Sequence, residues 1–217
     1  MGYDVTFHPV SVEDLQHFLF DVVDDPSLST PRSQEISEKD KARQLVKQLY
    51  EKVPEWFSDK SVPFNASVSF LAAILAGFRR PFWYSRGASL SFAADAVPEM
   101  GELFTPLPGI AKGSISKRAD PSKGRITENY TASGIILPEK IEALQKLFPR
   151  IAPSLDANAK GYHFYSDDFR SLLVATNFAR SNGLGLIEAS DVVVPAADEC
   201  ISDFDNMRAP FLKRVDP

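Results

Sequence analysis

Polar and apolar residues alternate along the N-terminal segment with two different periods, and each period predicts one element. Tyr3, Val5 and Phe7 alternate with polar residues, which is the two-residue period of a half-buried strand. Pro9 is expected to end this strand, because proline cannot donate a hydrogen bond to a sheet. Ser11 then takes the N-cap position of a helix. The apolar positions of this helix are Val12, Leu15, Leu19 and Val22, with Phe18 and Val23 beside them.

The helical period returns twice in the next part of the chain. Ser37 to Asp40 resembles a capping box at the start of one helix, and Pro54 is expected to end that helix. The segment 66–78 is apolar on all sides, which predicts a buried helix. The segment 24–34 carries two prolines and few residues that can pack, so it is expected to be a loop.

The second half of the chain mixes strands and helices. A polar, basic segment, 112–125, precedes the apolar segment 133–137, and together they predict a hairpin with a long basic loop. Pro138 suits the first turn of a helix that Pro149 is expected to end. The remaining predicted elements are a short strand at 161–165, a helix that begins at Ser166 and ends at Asn182-Gly183, and one or two strands over 184–195.

These elements predict an α+β protein. Helices outnumber strands and do not alternate with them strictly, so we expect a helix-rich fold in which a small, mostly antiparallel sheet packs against amphipathic helices. The length suits one α+β domain over residues 1–217. A division into two lobes stays open, with a helix-rich lobe at 1–104 and an α+β lobe at 105–217.

Composition narrows the functional classes. A hydrophobic fraction of 44% with 16 phenylalanines predicts a folded globule. The net charge of −5 disfavours nucleic acid and anionic membranes as partners and suits a basic partner. The N-terminus lacks the pattern of a secretory signal, and the most apolar run, 67–78, is shorter than the roughly 20 residues that span a bilayer. A cytoplasmic protein without membrane contacts is therefore expected.

The two N-terminal histidines raise the question of a metal or acid–base site. The helical period places His17 with Glu13 and Asp21 on one exposed face. His8 lies on the strand face opposite Val5. If the helix covers the Val5 face, the two imidazoles diverge and cannot share a metal ion, which requires ligands about 2.1 Å from it. No metal site is predicted.

A second candidate is a small-molecule site. His163 and Tyr165 would share one strand face just before a helix N-terminus, a position that attracts anions. Arg79 belongs to RRPFWYSRG, where arginines surround aromatic residues in the manner of binding hot spots and base-stacking surfaces. A small-molecule enzyme or ligand-binding protein that uses these three residues is one alternative. A buried histidine with satisfied hydrogen bonds, and aromatic residues that only fill the core, are the others.

Other chemical features are weaker. Cys200 cannot form an internal disulfide, and the carboxylates around it disfavour a reactive thiolate. The chain has no G-x-S-x-G sequence of a nucleophile elbow. The segment 112–125 holds five basic residues and one aspartate, so it would grip a phosphate or an acidic surface, or remain a mobile solvated loop. We predict no catalytic residues and no cofactor.

Two stretches carry a resemblance to a known group of proteins. MGYDVTFHPVSVEDLQHF, at 1–18, and ATNFARSNGLGLIEASDVVVP, at 175–195, resemble small bacterial cytosolic proteins. Some of those proteins are encoded beside secreted polymorphic toxins and act as their immunity proteins. The resemblance implies an acidic, non-enzymatic protein that stays in the producing cell and neutralises a cognate toxin by direct binding. Such families share no active site, so the resemblance transfers no functional residues.

The acidic C-terminal segment is the predicted partner-binding surface. Carboxylates there could imitate the phosphates of a nucleic acid, while an aromatic residue supplies a buried anchor. Attraction between an acidic inhibitor and a basic toxin would also speed their association. A solvated acidic helix or loop is the alternative. The residues of the predicted surface are Asp198, Glu199, Asp203, Phe204 and Asp205.

Overall fold

A six-stranded antiparallel sheet forms the centre of the described structure, and its strands come from distant parts of the chain. In spatial order the strands are β3 (Phe104–Thr105), β4 (Thr131–Ile136), β5 (Gly185–Ser190), β1 (Asp4–Val10), β2 (Phe82–Arg86) and β7 (Ile201–Ser202). A separate two-stranded ladder pairs β6 (Val194–Pro195) with β8 (Met207–Arg208).

Helices cover both faces of this sheet. The computed structural model describes residues 4–58, 64–86, 89–118, 120, 124–126, 129–158, 166–195, 201–202 and 207–208. The α-helices are α1 (Val12–Leu15), α2 (Asp21–Asp24), α3 (Ser29–Glu35), α4 (Asp40–Ser58), α5 (Phe64–Arg79), α6 (Leu90–Ala96), α7 (Pro98–Gly101), α8 (Ile141–Asn158) and α9 (Ser166–Ser181). A π-helical turn, Gln16–Phe20, joins α1 to α2, and 3₁₀ turns lie at Pro26–Leu28, Leu107–Ile110, Ile115–Arg118 and Pro138–Lys140.

The core has two layers, one on each side of the sheet. One layer joins α1, α4 and α5 to sheet residues such as Phe82 and Ile187, and we name this side the α5 face. The other layer joins α6, α8 and α9 to Val5, Phe7 and Leu186, and we name this side the α9 face. Helices against a mostly antiparallel sheet confirm the predicted α+β class.

The sheet crosses the boundary between the two suggested lobes. β1 and β2 belong to residues 1–104, while β4 and β5 belong to residues 105–217. β1 pairs with β2 on one side and with β5 on the other, for example Phe7 with both Trp83 and Glu188. Both core layers also contain residues from the two segments.

The first strand differs from its prediction in two ways. It is buried on both faces, since Thr6 and His8 are as inaccessible as Val5 and Phe7, so the expectation of a half-buried strand is wrong. It also continues through Pro9, which pairs with Leu186 of β5. The carbonyl of Asp4 points toward β5, where it accepts a hydrogen bond from the N–H of Asp191. Backbone groups of successive residues point to opposite sides of a strand, so the backbone of Pro9, five residues later, points toward β2. Pairing with β2 ends at Phe7, so Pro9 costs the sheet no hydrogen bond on that side.

One predicted loop and two predicted helix ends are also wrong. The expected loop at 24–34 contains α3, which follows a 3₁₀ turn capped by Asp25. α4 continues past Pro54, and the extra turn places Trp56 against Phe70, with ring centroids 5.6 Å apart. α8 continues past Pro149, and Ile151 beyond it is fully buried in the α9 layer. Tertiary packing therefore outweighs the local cost of proline in both helices.

Other predicted elements agree with the structure. Ser11 caps α1 by accepting hydrogen bonds from Glu13 N–H and Asp14 N–H. The buried helix expected at 66–78 is α5. Gly183, at a φ of +64°, follows the end of α9 in the left-handed conformation that glycine adopts freely. The strands β5 and β6 lie within the predicted segment 184–195.

Candidate functional site

An open groove lies between the first helical segment and the C-terminal turn of α5. Its walls enclose only about 10 Å³, the space of roughly one water molecule. The capped start of α1 supplies Asp14 to this groove, and the end of α5 supplies Arg79 and Arg80. We name it the Arg79 groove, and its apolar lining consists of Val10, Leu15, Phe18, Leu19, Leu75 and Ala76.

The charged residues of the Arg79 groove are unequally paired. Arg80 donates a short hydrogen bond to one carboxylate oxygen of Asp14. Nη2 of Arg79 lies 3.8 Å from the other oxygen, which is beyond hydrogen-bond distance. Nη1 of Arg79 donates to the carbonyl of Ile36 at 3.2 Å, and its guanidinium lies 5.0 Å from the centre of the Phe18 ring. Two guanidinium groups therefore share one carboxylate, which leaves the groove with an excess positive charge.

The π-helical turn shapes one wall of the Arg79 groove. It places three consecutive residues, Phe18, Leu19 and Phe20, in the core. An amphipathic α-helix has a single apolar stripe and does not bury three consecutive side chains. Such turns occur often at functional sites. His17 lies on the outer side of the same turn, where its Nε2 is 2.6 Å from Oε2 of Glu35. The hydrogen bond with His17 is the main reason that the pKa of Glu35 lies below its usual value.

Glu188 of β5 is a buried ionisable group on the α9 face with a strongly shifted pKa. Its carboxylate is fully buried and accepts hydrogen bonds from the Ser89 hydroxyl and from Ser91 N–H, the latter at 3.1 Å. Ser89 is also the N-cap of α6, so the carboxylate lies at the start of that helix. Burial raises the pKa of Glu188 from 4.5 to about 7, although the hydrogen bonds act in the opposite direction.

His8 of β1 is the corresponding group on the α5 face. Its ring stacks on Phe82, with centroids 4.8 Å apart, and its Nε2 lies 2.8 Å from the Thr6 hydroxyl. That hydroxyl donates to the carbonyl of Ala189, so it accepts from His8, and the Nε2–H tautomer follows. Nδ1 has no hydrogen-bond partner among the described residues. Burial lowers the pKa of His8 to about 3, so the imidazole is neutral.

His8 and Glu188 lie on neighbouring strands but on opposite faces of the sheet. Glu188 pairs with Phe7, and His8 pairs with Ile187, so one residue of register separates them. The helical segment that contains His17 covers the sheet face of His8 rather than that of Val5. This contradicts the assumption from which we predicted that the two imidazoles diverge. His17 nevertheless points outward while His8 is buried, so the histidines do not form one site.

The predicted site residues fall into two groups. Arg79 lies in the groove described above. His163 and Tyr165 lie outside the described residues, as do Cys200 and the whole predicted partner-binding surface. Sequence reasoning did not select Glu188, although a carboxylate between Ile187 and Ala189 in a buried strand was a usable signal, because such groups are rarely buried without partners.

The basic segment is attached to the rest of the protein over residues 112–118, the first part of it that the structure describes. Ser114 donates to the Asp24 carboxylate from both its N–H and its hydroxyl. The guanidinium of Arg118 lies 3.7 Å from the centre of the Phe64 ring, and Ile115 is buried. These contacts tie the segment to the rest of the protein, although most of its residues from 112 to 118 are exposed, as expected for a solvated loop.

Searches for other features and for relatives give no assignment. Within the described ranges, no group of three or more His, Cys, Asp or Glu side chains is placed to hold a metal ion. None of the helices in that part of the chain is both long enough and apolar enough to cross a membrane. No family model, curated protein or solved structure matches the chain.

Proposed function

We propose that the protein is a non-enzymatic binding protein, and specifically an immunity protein that neutralises a cognate secreted toxin in the cytoplasm of the producing cell. The observation that supports this most is the placement of Glu188 and His8. Strongly shifted pKa values commonly mark catalytic groups. Here burial in two separate core layers causes both shifts, and each group serves the packing of the sheet.

Surface charge supports the same proposal. Five exposed carboxylates lie between the end of α2 and the start of α4, with Arg32 and Lys39 among them, and we name these carboxylates the acidic ridge. Together with the net charge of −5, this ridge would attract a basic toxin over long distances. The members of the acidic ridge are Asp24, Asp25, Glu35, Glu38 and Asp40.

The test of this function is protection of living cells. The C-terminal toxin domain encoded by the adjacent gene is expressed with and without this protein, and colony counts are compared. We expect co-expression to restore growth, and the two purified proteins to form a complex in size-exclusion chromatography. Growth arrest that persists at full expression of the folded protein would contradict the proposal.

Charge-reversal variants then locate the binding surface. Asp198, Glu199, Asp203 and Asp205 are changed together to lysine in one variant, and Glu38 and Asp40 in another. A control variant, Glu102→Lys/Glu139→Lys, makes the same change as the second at two exposed positions outside the acidic ridge. We expect the first or second variant to lose protection, because rim charges control association, while the control keeps it. Equal protection by all three would exclude both acidic surfaces.

A ligand-binding protein or small-molecule enzyme is the second candidate, and the position of Arg79 favours it. Arg79 lines an apolar groove, and its Nη2 lies 3.8 Å from Oδ1 of Asp14, which is longer than a hydrogen bond. A site with His163 and Tyr165 requires all three side chains to lie within about 10 Å of one another. A crystal structure that separates them further would exclude that site.

A further inference from the structure

We propose that Asn182 is a site of spontaneous deamidation, which converts its side-chain amide to a carboxylate after the C-terminal turn of α9 opens. The only reactants are this residue, the next one, and water and hydroxide from the solvent. The reaction does not depend on the proposed toxin. Three features of the turn support it: the glycine that follows Asn182, the exposure of both residues, and the hydrogen bonds that hold the turn closed.

The glycine at position 183 permits the reaction. A solvent base removes the proton from Gly183 N–H, and the nitrogen forms a bond to Cγ of Asn182. The bond from Cγ to Nδ2 then breaks, and Nδ2 takes a proton from water and leaves as ammonia. Glycine has no Cβ to hinder this close approach. Water opens the cyclic imide at Cγ, which leaves an aspartate, or at the main-chain carbonyl, which leaves an isoaspartate. The net change is the addition of water and the loss of ammonia, without oxidation or reduction.

Exposure distinguishes Asn182 from other asparagines. Asn182 and Gly183 are both exposed, so water and hydroxide reach the reacting atoms. The structure describes the side chains of three other asparagines. Asn65 is buried, and its amide donates to and accepts from backbone groups. Asn129 and Asn177 each precede an aromatic residue, whose Cβ hinders the attacking nitrogen.

The turn after Asn182 is held by hydrogen bonds that open locally. Leu184 N–H donates to the carbonyl of Ala179 at 2.8 Å, and Gly183 N–H donates to the carbonyl of Arg180 at 3.3 Å. Together these two bonds form a Schellman motif, which ends a helix. The bond of the attacking nitrogen is the longer one and exceeds the usual length of about 2.9–3.0 Å. Helix ends open at a small fraction of the global free energy of unfolding, so Gly183 N–H becomes available while the sheet stays folded.

Deamidation weakens the junction of α9 and β5. Nδ2 of Asn182 donates to the carbonyl of Phe178 at 2.8 Å, and a carboxylate has no proton to replace this bond. A negative charge is also unfavourable at a helix C-terminus. We therefore expect Asn182→Asp to lower the urea midpoint of unfolding more than Asn177→Asp, the same change within α9. An unchanged midpoint in Asn182→Asp would contradict this consequence.

The first test of the reaction follows the folded, unmodified protein at mildly alkaline pH, where hydroxide is more abundant. Peptide mapping by mass spectrometry measures the exchange of NH2 for OH at each asparagine, and chromatography separates the aspartate and isoaspartate peptides. We expect Asn182 to be modified at least about tenfold faster than Asn177, which is also exposed but lies before the last turn of α9. Equal rates at the two positions, or no modification of Asn182, overturn the proposal.

The second test changes how often the turn opens. Leu184 is buried in the α9 layer, so Leu184→Ala removes contacts that keep the turn closed and should raise the rate at Asn182 by about tenfold. Leu107→Ala is the control, because it truncates a buried leucine of the other layer and should leave the rate unchanged. Equal acceleration by both variants would mean that the reaction requires general unfolding. That outcome, or no acceleration by Leu184→Ala, overturns the proposal.

A pair of milder variants gives the same measurement if Leu184→Ala does not fold. Ser181 is exposed in the last turn of α9, where glycine disfavours the helix and alanine favours it. We expect Ser181→Gly to raise the rate at Asn182 about twofold and Ser181→Ala to lower it below that of the original protein. Rates that do not follow this order overturn the proposal.

Discussion

Among the described residues, the strands of the central sheet bury one ionisable side chain on each face, but by different means. On the α5 face, His8 is stacked on Phe82 and donates a hydrogen bond to Thr6. On the α9 face, Glu188 accepts bonds from the Ser89 hydroxyl and Ser91 N–H at the start of a helix. The buried imidazole of His8 is neutral, whereas the carboxyl group of Glu188 needs hydrogen-bond donors that suit both its neutral and its ionised form. The ionisable group of the α9 face is therefore stabilised by hydrogen bonds from positioned donors, which we call polar positioning, and that of the α5 face by packing.

The largest expected effect tests whether packing alone keeps His8 neutral. Phe82 is fully buried on the α5 face and stacks on the imidazole. Phe82→Ala should lower the free energy of unfolding by about 3–5 kcal/mol, the usual cost of such a truncation. It should also raise the pKa of His8 from about 3 toward its ordinary 6.5, because water replaces the ring. Urea denaturation measures the first effect, and an NMR titration of the His8 ring measures the second.

Phe7→Ala is the matched control for that prediction. Phe7 is equally buried, but it lies on the α9 face, opposite Glu188 on the neighbouring strand. We expect a similar loss of stability and a pKa of His8 that stays near 3. A His8 pKa that rises in both variants would mean that the two faces are not independent.

The next prediction concerns the pH dependence of stability, in which the two groups act in opposite directions. His8 has a lowered pKa in the folded protein, so its contribution is complete above 6.5 and is lost as the pH falls toward 3. Glu188 has a raised pKa, so its contribution is complete below 4.5 and is lost as the pH rises through 7. Each slope is about 1.4 kcal/mol per pH unit, and the two cancel between about pH 4.5 and 6.5.

Two variants with an uncharged glutamine separate these slopes. His8→Gln should leave the Glu188 slope, so that the free energy of unfolding becomes larger, relative to that of the original protein, as the pH falls from 6.5. Glu188→Gln should leave the His8 slope, with a relative gain of about 3 kcal/mol between pH 4.5 and 7.5. Denaturation curves at several pH values measure both differences. Differences that stay constant with pH would show that neither group titrates differently in the folded and unfolded states.

The contrast between the faces also shows what the sequence could predict. Local signals were sufficient for the cap at Ser11, the buried helix α5 and the turn at Gly183, because each depends on neighbouring residues. The burial of Thr6 was beyond local reasoning, since its hydrogen-bond partner is Ala189, 183 residues away. One residue of register between β1 and β5 decides which face each side chain takes, and periodicity does not fix that register.

The candidate sites show the same limit. The donors that surround Glu188 come from α6, and Ser89 lies 99 residues before the carboxylate. The groove forms because Asp14 meets Arg80, 66 residues later, beside a π-helical turn that no apolar period predicts. Arg79 was selected from its aromatic neighbours in sequence, but its contacts are with Phe18, Ile36 and Asp14.

The smallest expected effect compares the serine caps of the two faces. Ser11 caps α1 near the surface, whereas Ser89 caps α6 and also donates to the buried Glu188. Ser11→Ala should cost about 1 kcal/mol at any pH, the ordinary value of a helix cap. Ser89→Ala should cost about 2–3 kcal/mol above pH 7, because the ionised carboxylate also loses a donor. Below pH 5 the carboxyl is neutral, so the cost should approach that of Ser11→Ala. Denaturation of both variants at pH 5 and pH 8 gives the four values. A Ser89→Ala cost that is independent of pH would mean that its hydroxyl does not support the ionised form of Glu188, and the polar positioning ascribed to the α9 face would then reduce to an ordinary cap.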